Sequence, residues 1–117
     1  MRLNEIVYTD ALPVDGYGSG YFRIGGTRRE GPVIAAPSGV RPWAGLEDVD
    51  ALLALAEEID VLFLGMGAQV AHPPEPLREA LEAAGVGVET MASPAACRTY
   101  NVLLSEGRRI ALAALPV

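Results

Sequence analysis

Lysine is absent from this chain, and histidine and cysteine each occur once. All nine basic residues are arginines, whereas Asp and Glu number 15, which gives a net charge of −6. The lack of lysine excludes a Schiff-base lysine, a P-loop lysine and a lysine general base. A single His72 and a single Cys97 exclude a Cys/His metal cluster and an intrachain disulfide. The acidic balance argues against nucleic acid as a partner, because nonspecific binding of nucleic acid depends on clustered cations.

Long apolar runs are also missing, since no stretch reaches the ~20 residues of a membrane-spanning helix. Residues 1–6 lack the apolar centre of a secretory signal, and a lone cysteine fits a reducing compartment. We therefore expect a soluble, cytoplasmic protein without a transmembrane segment. The chain has 117 residues, of which 50% are hydrophobic and 21% charged. This balance predicts one globular domain that spans residues 1–117.

Glycine and proline divide the chain into short periodic segments. Tyr21–Ile24 alternates with a period of two and predicts a strand. We expect it to pair as a hairpin with a strand over residues 32–37, with residues 27–31 as a polar turn and residues 38–45 as a loop. Glycines precede the first strand rather than separating a strand from a helix. This order does not match a dinucleotide-binding loop, and no cofactor is predicted.

Later segments alternate between helix and strand. Asp48 precedes apolar residues at helical spacing, and Ser93-Pro94 is typical of a hydroxyl N-cap followed by a proline in the first turn. Such alternation predicts an α/β fold: a three-layer single domain with a mixed central sheet, an additional N-terminal β-hairpin and about three helices. Within the sheet, we expect residues 61–64 and 86–89 to form adjacent inner strands. The predicted helices cover residues 48–56, 74–84 and 93–105, and the later strands cover residues 60–65, 86–90 and 110–115.

Several blocks of the chain form a recognisable set: residues 85–91 (GVGVETM), 95–103 (AACRTYNVL), 106–109 (EGRR), 22–26 (FRIGG), 37–39 (PSG, with Trp43) and 60–67 (DVLFLGMG). Together they resemble a family of small domains of unknown biochemical function, over about residues 12–117. That family includes the mitochondrial respiratory complex I assembly factor 3 and its prokaryotic relatives. Two departures are Met66 and the pair Ser93-Pro94, which stand where Thr-Gly is common in the family.

This resemblance implies a compact three-layer α/β domain with a mixed sheet and an extra hairpin. It also implies a protein partner, in a respiratory or other membrane-associated complex. It brings no established catalytic residue to this sequence. A homo-oligomer is compatible with everything above.

Candidate site residues cluster at one predicted edge of the sheet. Loops after two neighbouring parallel strands emerge at their carboxyl edge, where α/β proteins bind ligands. The start of the third helix would point there, with backbone donors and a dipole suited to an anion. Arg98 and Asn101, three residues apart, form a fork for a carboxylate or phosphate in one interpretation and tie the 66–72 loop to the helix in the other. The predicted crevice consists of Gly65, Met66, Gly67, Met91, Ala95, Ala96, Arg98 and Asn101.

A Cys97–His72 dyad is a further hypothesis, because a helix N-terminus lowers the pKa of a thiol. The competing interpretation is that Cys97 packs inside the domain and His72 lies in a surface turn. No pair of carboxylates suggests general acid–base catalysis, and no metal site is predicted. The sequence thus favours a non-enzymatic interaction domain, and an anion-binding domain or enzyme is the alternative.

Overall fold

The computed structural model describes residues 11–117, so the expectation for residues 1–6 lies outside the described residues. A β-rich opening is followed by alternating helices and strands, as predicted. The strands are β1 (Val14–Gly18), β2 (Tyr21–Ile24), β3 (Thr27–Glu30), β4 (Val33–Ala36), β5 (Gly39–Pro42), β6 (Val61–Met66), β7 (Gly87–Met91) and β8 (Ile110–Leu115), and the helices are α1 (Val49–Leu53), α2 (Glu75–Ala83) and α3 (Ser93–Ser105).

A mixed five-stranded sheet forms the centre of the domain, with the strand order β5-β4-β8-β6-β7. Strand β6 runs parallel to both β7 and β8, and β4 is antiparallel to β5 and β8. Leu62, Phe63 and Leu64 are all buried because β6 is covered on both faces. This is the arrangement that a continuous apolar run predicts.

Side chains on the two faces of this sheet enter two separate core clusters. Leu52, Leu77 and Leu81 of α1 and α2 pack on one face, against Leu62 and Leu64. On the other face, α3 and the three-stranded sheet β1-β2-β3 contribute to a cluster that contains Phe63. The domain therefore has three layers, and the predicted fold class is confirmed.

The predicted pairing of the opening strands is wrong. Residues 27–31 are not a turn, because Thr27–Glu30 forms β3 and pairs with β2. The chain reverses two residues earlier, at Gly25 and Gly26, whose φ angles are 58° and 83°. Positive φ at both central residues is typical of the type I′ turn that closes two-residue hairpins.

Strand β4 likewise does not pair with β2. It pairs with β5, which lies inside the segment predicted as a loop, and with β8. Gly39, with φ 127°, lies at the reversal between β4 and β5. An L-residue with a side chain rarely adopts such a φ, so this glycine makes the second hairpin feasible.

Strands β6 and β7 are neighbours as predicted, but β7 is not an inner strand. It lies at the edge of the sheet, and β8 is the second central strand. The reason lies in the side chains: residues 110–114 of β8 are all buried, whereas Gly87 and Glu89 of β7 are exposed on either side of buried Val88. Glu89 therefore needs no buried partner.

Candidate functional site

The carboxyl edge of β6 and β7 brings together most of the predicted crevice. In the parallel β6–β7 ladder, Gly65 lies opposite Met91. Gly67 follows β6, and α3 begins at Ser93, directly after β7. The two loops and the helix start therefore meet, as the sequence predicted.

Ser93 fills this crevice. Its side chain is fully buried, and its Oγ accepts a hydrogen bond from Gly67 N–H at 2.9 Å and donates one to Leu115 C=O at 2.6 Å. The Ser93 N–H also donates to Gly67 C=O at 2.7 Å. Groups of the protein itself thus occupy the space beside the helix start.

The N-cap role predicted for Ser93 is wrong. The N-cap is Ala92, which makes no side-chain capping bond, and Pro94 lies in the first turn. The Ser93 hydroxyl is directed to the ends of β6 and β8, so it satisfies strand termini rather than helix donors. Sequence reasoning missed this role because the partners lie 22 and 26 residues away.

Arg98 and Asn101 diverge instead of forming a fork. The Asn101 amide accepts from Val14 N–H and donates to Val14 C=O, both at 2.8 Å. Beside it, Tyr100 donates to Leu12 C=O at 2.8 Å. These two residues attach β1 to α3, so the expectation that Asn101 holds the 66–72 loop is wrong; Ser93 makes that connection.

Arg98 is exposed on the outer face of α3. Together with Thr99, Val102 and Leu103 it lines a depression of about 400 Å³, and Val102 is 55% exposed. Among the backbone donors at the helix start, Ala96 N–H is already bonded to Ala92 C=O at 2.9 Å. Anion binding at the helix start therefore stays the alternative hypothesis, and replacement of Arg98 tests it.

Replacing Arg98 with alanine is expected to leave the free energy of unfolding within about 0.5 kcal/mol of wild type, as for other exposed substitutions. Because Arg98 is exposed and makes no fork with Asn101, we expect no anion site there. Added phosphate or a carboxylate metabolite should therefore change the Tm of wild type and Arg98→Ala equally, since a ligand raises the Tm only of a protein that binds it. Thermal melting with and without these anions measures both effects, and Arg108→Ala is the matched control. An anion-dependent rise in Tm that Arg98→Ala alone removes would establish the anion site.

Cys97 and His72 lie in different environments. Cys97 is buried, and this burial raises its pKa from 9.0 to about 11, with the nearby charge of Arg98 opposing the rise. His72 is exposed in the loop between β6 and α2. A protonated, buried thiol is a poor nucleophile at neutral pH, so the geometry favours the packing interpretation over the dyad.

Cys97 should therefore react slowly with a thiol reagent in the native protein at pH 7. A pKa about two units above 9.0 reduces the thiolate fraction about a hundredfold, and burial limits access in addition. Labelling rates measured from pH 7 to 11 should still be rising at pH 10, whereas urea-unfolded protein should level off near the ordinary cysteine pKa. Fast native labelling that His72→Ala abolishes would instead support the dyad.

Trp43 also has a structural position. It is 3% exposed, and its Nε1–H donates to Asp48 C=O at 3.1 Å. Asp48 in turn accepts from Ala51 N–H and caps α1, as predicted. Trp43 thus covers the core edge beside α1.

Metal-ligating side chains do not cluster: between residues 11 and 117 there is no group of three or more His, Cys, Asp or Glu placed to hold an ion. None of the helices in that same range is long and apolar enough to cross a membrane.

Known proteins resemble this chain over nearly its whole length. An uncharacterised protein of Rhodobacter capsulatus is 49% identical over 100% of this chain and 94% of its own. The human NADH dehydrogenase [ubiquinone] 1 alpha subcomplex assembly factor 3 is 33% identical over 91% of this chain, which spans 61% of that relative's length. A crystal structure described as an outer membrane protein from Bartonella henselae superimposes with a TM-score of 0.83 at 34% identity and covers 92% of this chain and 97% of that one. With a family model matching residues 14–115, the chain belongs to the family described as protein of unknown function (DUF498/DUF598).

Proposed function

We propose that this protein is a non-enzymatic interaction domain that helps to assemble or stabilise a respiratory or other membrane-associated complex. The observation that carries the proposal is the similarity to assembly factor 3, which extends over 91% of the chain. The family model matches residues 14–115, which include the sheet and the three helices, so the similarity concerns the whole fold and not one motif. This chain spans 61% of that relative's length, so the full role of the assembly factor is not transferred.

The interior of the domain supports a binding role more than a catalytic one. Ser93, Gly67 and Leu115 satisfy one another in the crevice where α/β proteins place ligands. Asn101 is occupied by β1, and the Cys97 thiol is buried and protonated at neutral pH. Each of these polar groups has a structural use, which leaves the surface to carry the function. We infer a cytoplasmic setting, because the lone cysteine fits a reducing compartment.

Affinity purification from the native source tests the proposal. Tagged wild-type protein is purified in mild detergent, and co-purifying proteins are quantified by mass spectrometry. Subunits of one respiratory or other membrane-associated complex should be enriched together. A strain that expresses the tag alone is the control and should show no such enrichment. Wild-type protein that enriches no such subunit above the control would contradict the proposal.

A further inference from the structure

Positive charge is concentrated on the β2–β3 hairpin of this acidic protein. Three of the nine arginines, Arg23, Arg28 and Arg29, lie on its two short strands. Arg23 and Arg28 are direct cross-strand neighbours. Like charges placed opposite each other destabilise a sheet, so stability alone does not account for this arrangement.

A cleft of about 230 Å³ opens where β3 meets the β4–β5 hairpin. This volume is below the 300–1,000 Å³ that is usual for small-molecule and cofactor sites, and suits a single side chain. Its walls combine charged residues with apolar ones. The lining residues are Arg28, Arg29, Glu30, Pro32, Val33 and Pro42.

Arg29 has unused hydrogen-bonding capacity in this cleft. It lies opposite fully buried Phe22 in the β2–β3 ladder. Within residues 11–117, its Nε is the buried side-chain nitrogen that lacks a hydrogen-bond partner. A buried donor without an acceptor is rare in folded proteins. Because Nε has almost no accessible surface, an incoming acceptor reaches it only when the Arg29 side chain turns into the cleft that Arg29 lines.

The charges of Arg28 and Glu30 limit which anionic ligands the cleft can accept. Arg28 Nε donates to Glu30 Oε2 at 2.6 Å, and the Arg28 guanidinium lies 3.8 Å from the centre of the Tyr21 ring. Arg28 is thus held by its neighbours, and Arg29 is the arginine that remains available. The Glu30 carboxylate repels a phosphate dianion more than a monoanion, so the cleft favours a carboxylate, whose two oxygens match a guanidinium fork.

We propose that this cleft binds the carboxylate of an aspartate or glutamate side chain on a partner protein. The inference rests on the proposed function and specifies the chemistry of the contact. Arg29 supplies the charged fork, while Pro32, Val33 and Pro42 pack against the methylene groups of the incoming side chain. We assign a side chain rather than a free metabolite, since the cleft is smaller than is usual for small-molecule sites.

Titration of the full-length ¹⁵N-labelled protein with capped hexaglutamate tests this proposal by NMR, with capped hexaglutamine as the neutral control. The Arg29 Nε–H signal is assigned by its loss in Arg29→Lys. Hexaglutamate should shift it, and hexaglutamine should not. Arg29→Gln should weaken binding about tenfold or more, because a charge-assisted hydrogen bond is lost. Arg98→Gln, at an exposed arginine on α3, should change the affinity less than twofold.

Three outcomes would overturn the inference: an Nε–H signal that hexaglutamate leaves in place, equal affinity in Arg29→Gln, or stronger binding of acetate or phosphate than of hexaglutamate. If Arg29→Gln does not fold, the wild-type shift alone decides. Absence of peptide binding alongside successful co-purification of complex subunits would remove this site and keep the proposed function. Peptide binding without co-purified subunits would keep this site and contradict the proposed function.

Discussion

Gly65→Ala is expected to destabilise the protein by about 3 kcal/mol, near the top of the range for overpacked cores. A Cβ at Gly65 would lie 2.7 Å from Ser93 Oγ and 2.9 Å from Ser93 Cα. Ser93 cannot move aside easily, because its hydroxyl is bonded to Gly67 and Leu115. Strand β6 is also fixed by β7 and β8 on either side. Urea unfolding followed by the fluorescence of Trp43, the only tryptophan, measures the loss.

Gly87→Ala is the matched control on the neighbouring strand. A Cβ there would lie 3.7 Å from both Asp60 O and Val61 Cγ2, an ordinary contact distance. Glycine inside a strand is less favourable than alanine by roughly 0.5–1 kcal/mol, so stability should be unchanged or slightly raised. If both variants unfold at the same urea concentration, the close approach of Gly65 to Ser93 does not require a glycine, and the account of this contact is wrong.

Ser93→Ala is expected to cost about 2–4 kcal/mol. The substitution removes two hydrogen bonds and leaves Gly67 N–H and Leu115 C=O without their partner in a buried setting. Each unsatisfied buried group costs about 1–3 kcal/mol, and the sum is reduced where neighbouring groups adjust. The same urea experiment measures the change.

Ser105→Ala provides the comparison at the other end of α3. Its Oγ donates to Val102 C=O within the helix and is exposed, so the expected change is below about 0.5 kcal/mol. Equal effects of the two serine substitutions would show that the Ser93 hydroxyl is replaceable.

The sequence alone was sufficient to predict the elements whose apolar residues recur at helical spacing or form an uninterrupted apolar segment. β6 and β8 are continuous apolar segments, and both became central strands. The second predicted helix corresponds to α2, where Leu77 and Leu81 face the core one turn apart. One face or both faces of each of these elements are buried, so the pattern of apolar residues is sufficient to predict whether the segment is a helix or a strand.

The short strands β3 and β5 were missed for a physical reason. β3 is Thr27–Glu30, whose side chains are mostly exposed and charged, and β5 has no fully buried residue. Their existence depends on pairing with β2 and β4 and on glycines with positive φ at the reversals: Gly25 and Gly26 precede β3, and Gly39 is the first residue of β5. Such strands carry no hydrophobic period, so only the glycine positions could have indicated them.

The meeting of the two loops with the helix start was predicted from the sequence, but the hydrogen bonds there were not. Parallel pairing of β6 and β7 brought Gly67, Met91 and the start of α3 together, because topology alone determines where loops emerge. The hydrogen bonds depended on distant partners instead: Asn101 bonds to Val14, 87 residues away. One sequence does not specify which of several carbonyls a buried amide or hydroxyl will reach.

The most direct test of the account is the amount of assembled respiratory complex in a strain that lacks this protein. Native electrophoresis of membranes from that strain, complemented with wild-type protein or with a Cys97→Ala/His72→Ala double variant, measures it. We predict that the complex is depleted in the deletion strain and that both proteins restore it equally, because an interaction domain needs neither side chain for chemistry. Full assembly without the protein, or rescue by wild type alone, would contradict a non-enzymatic assembly role.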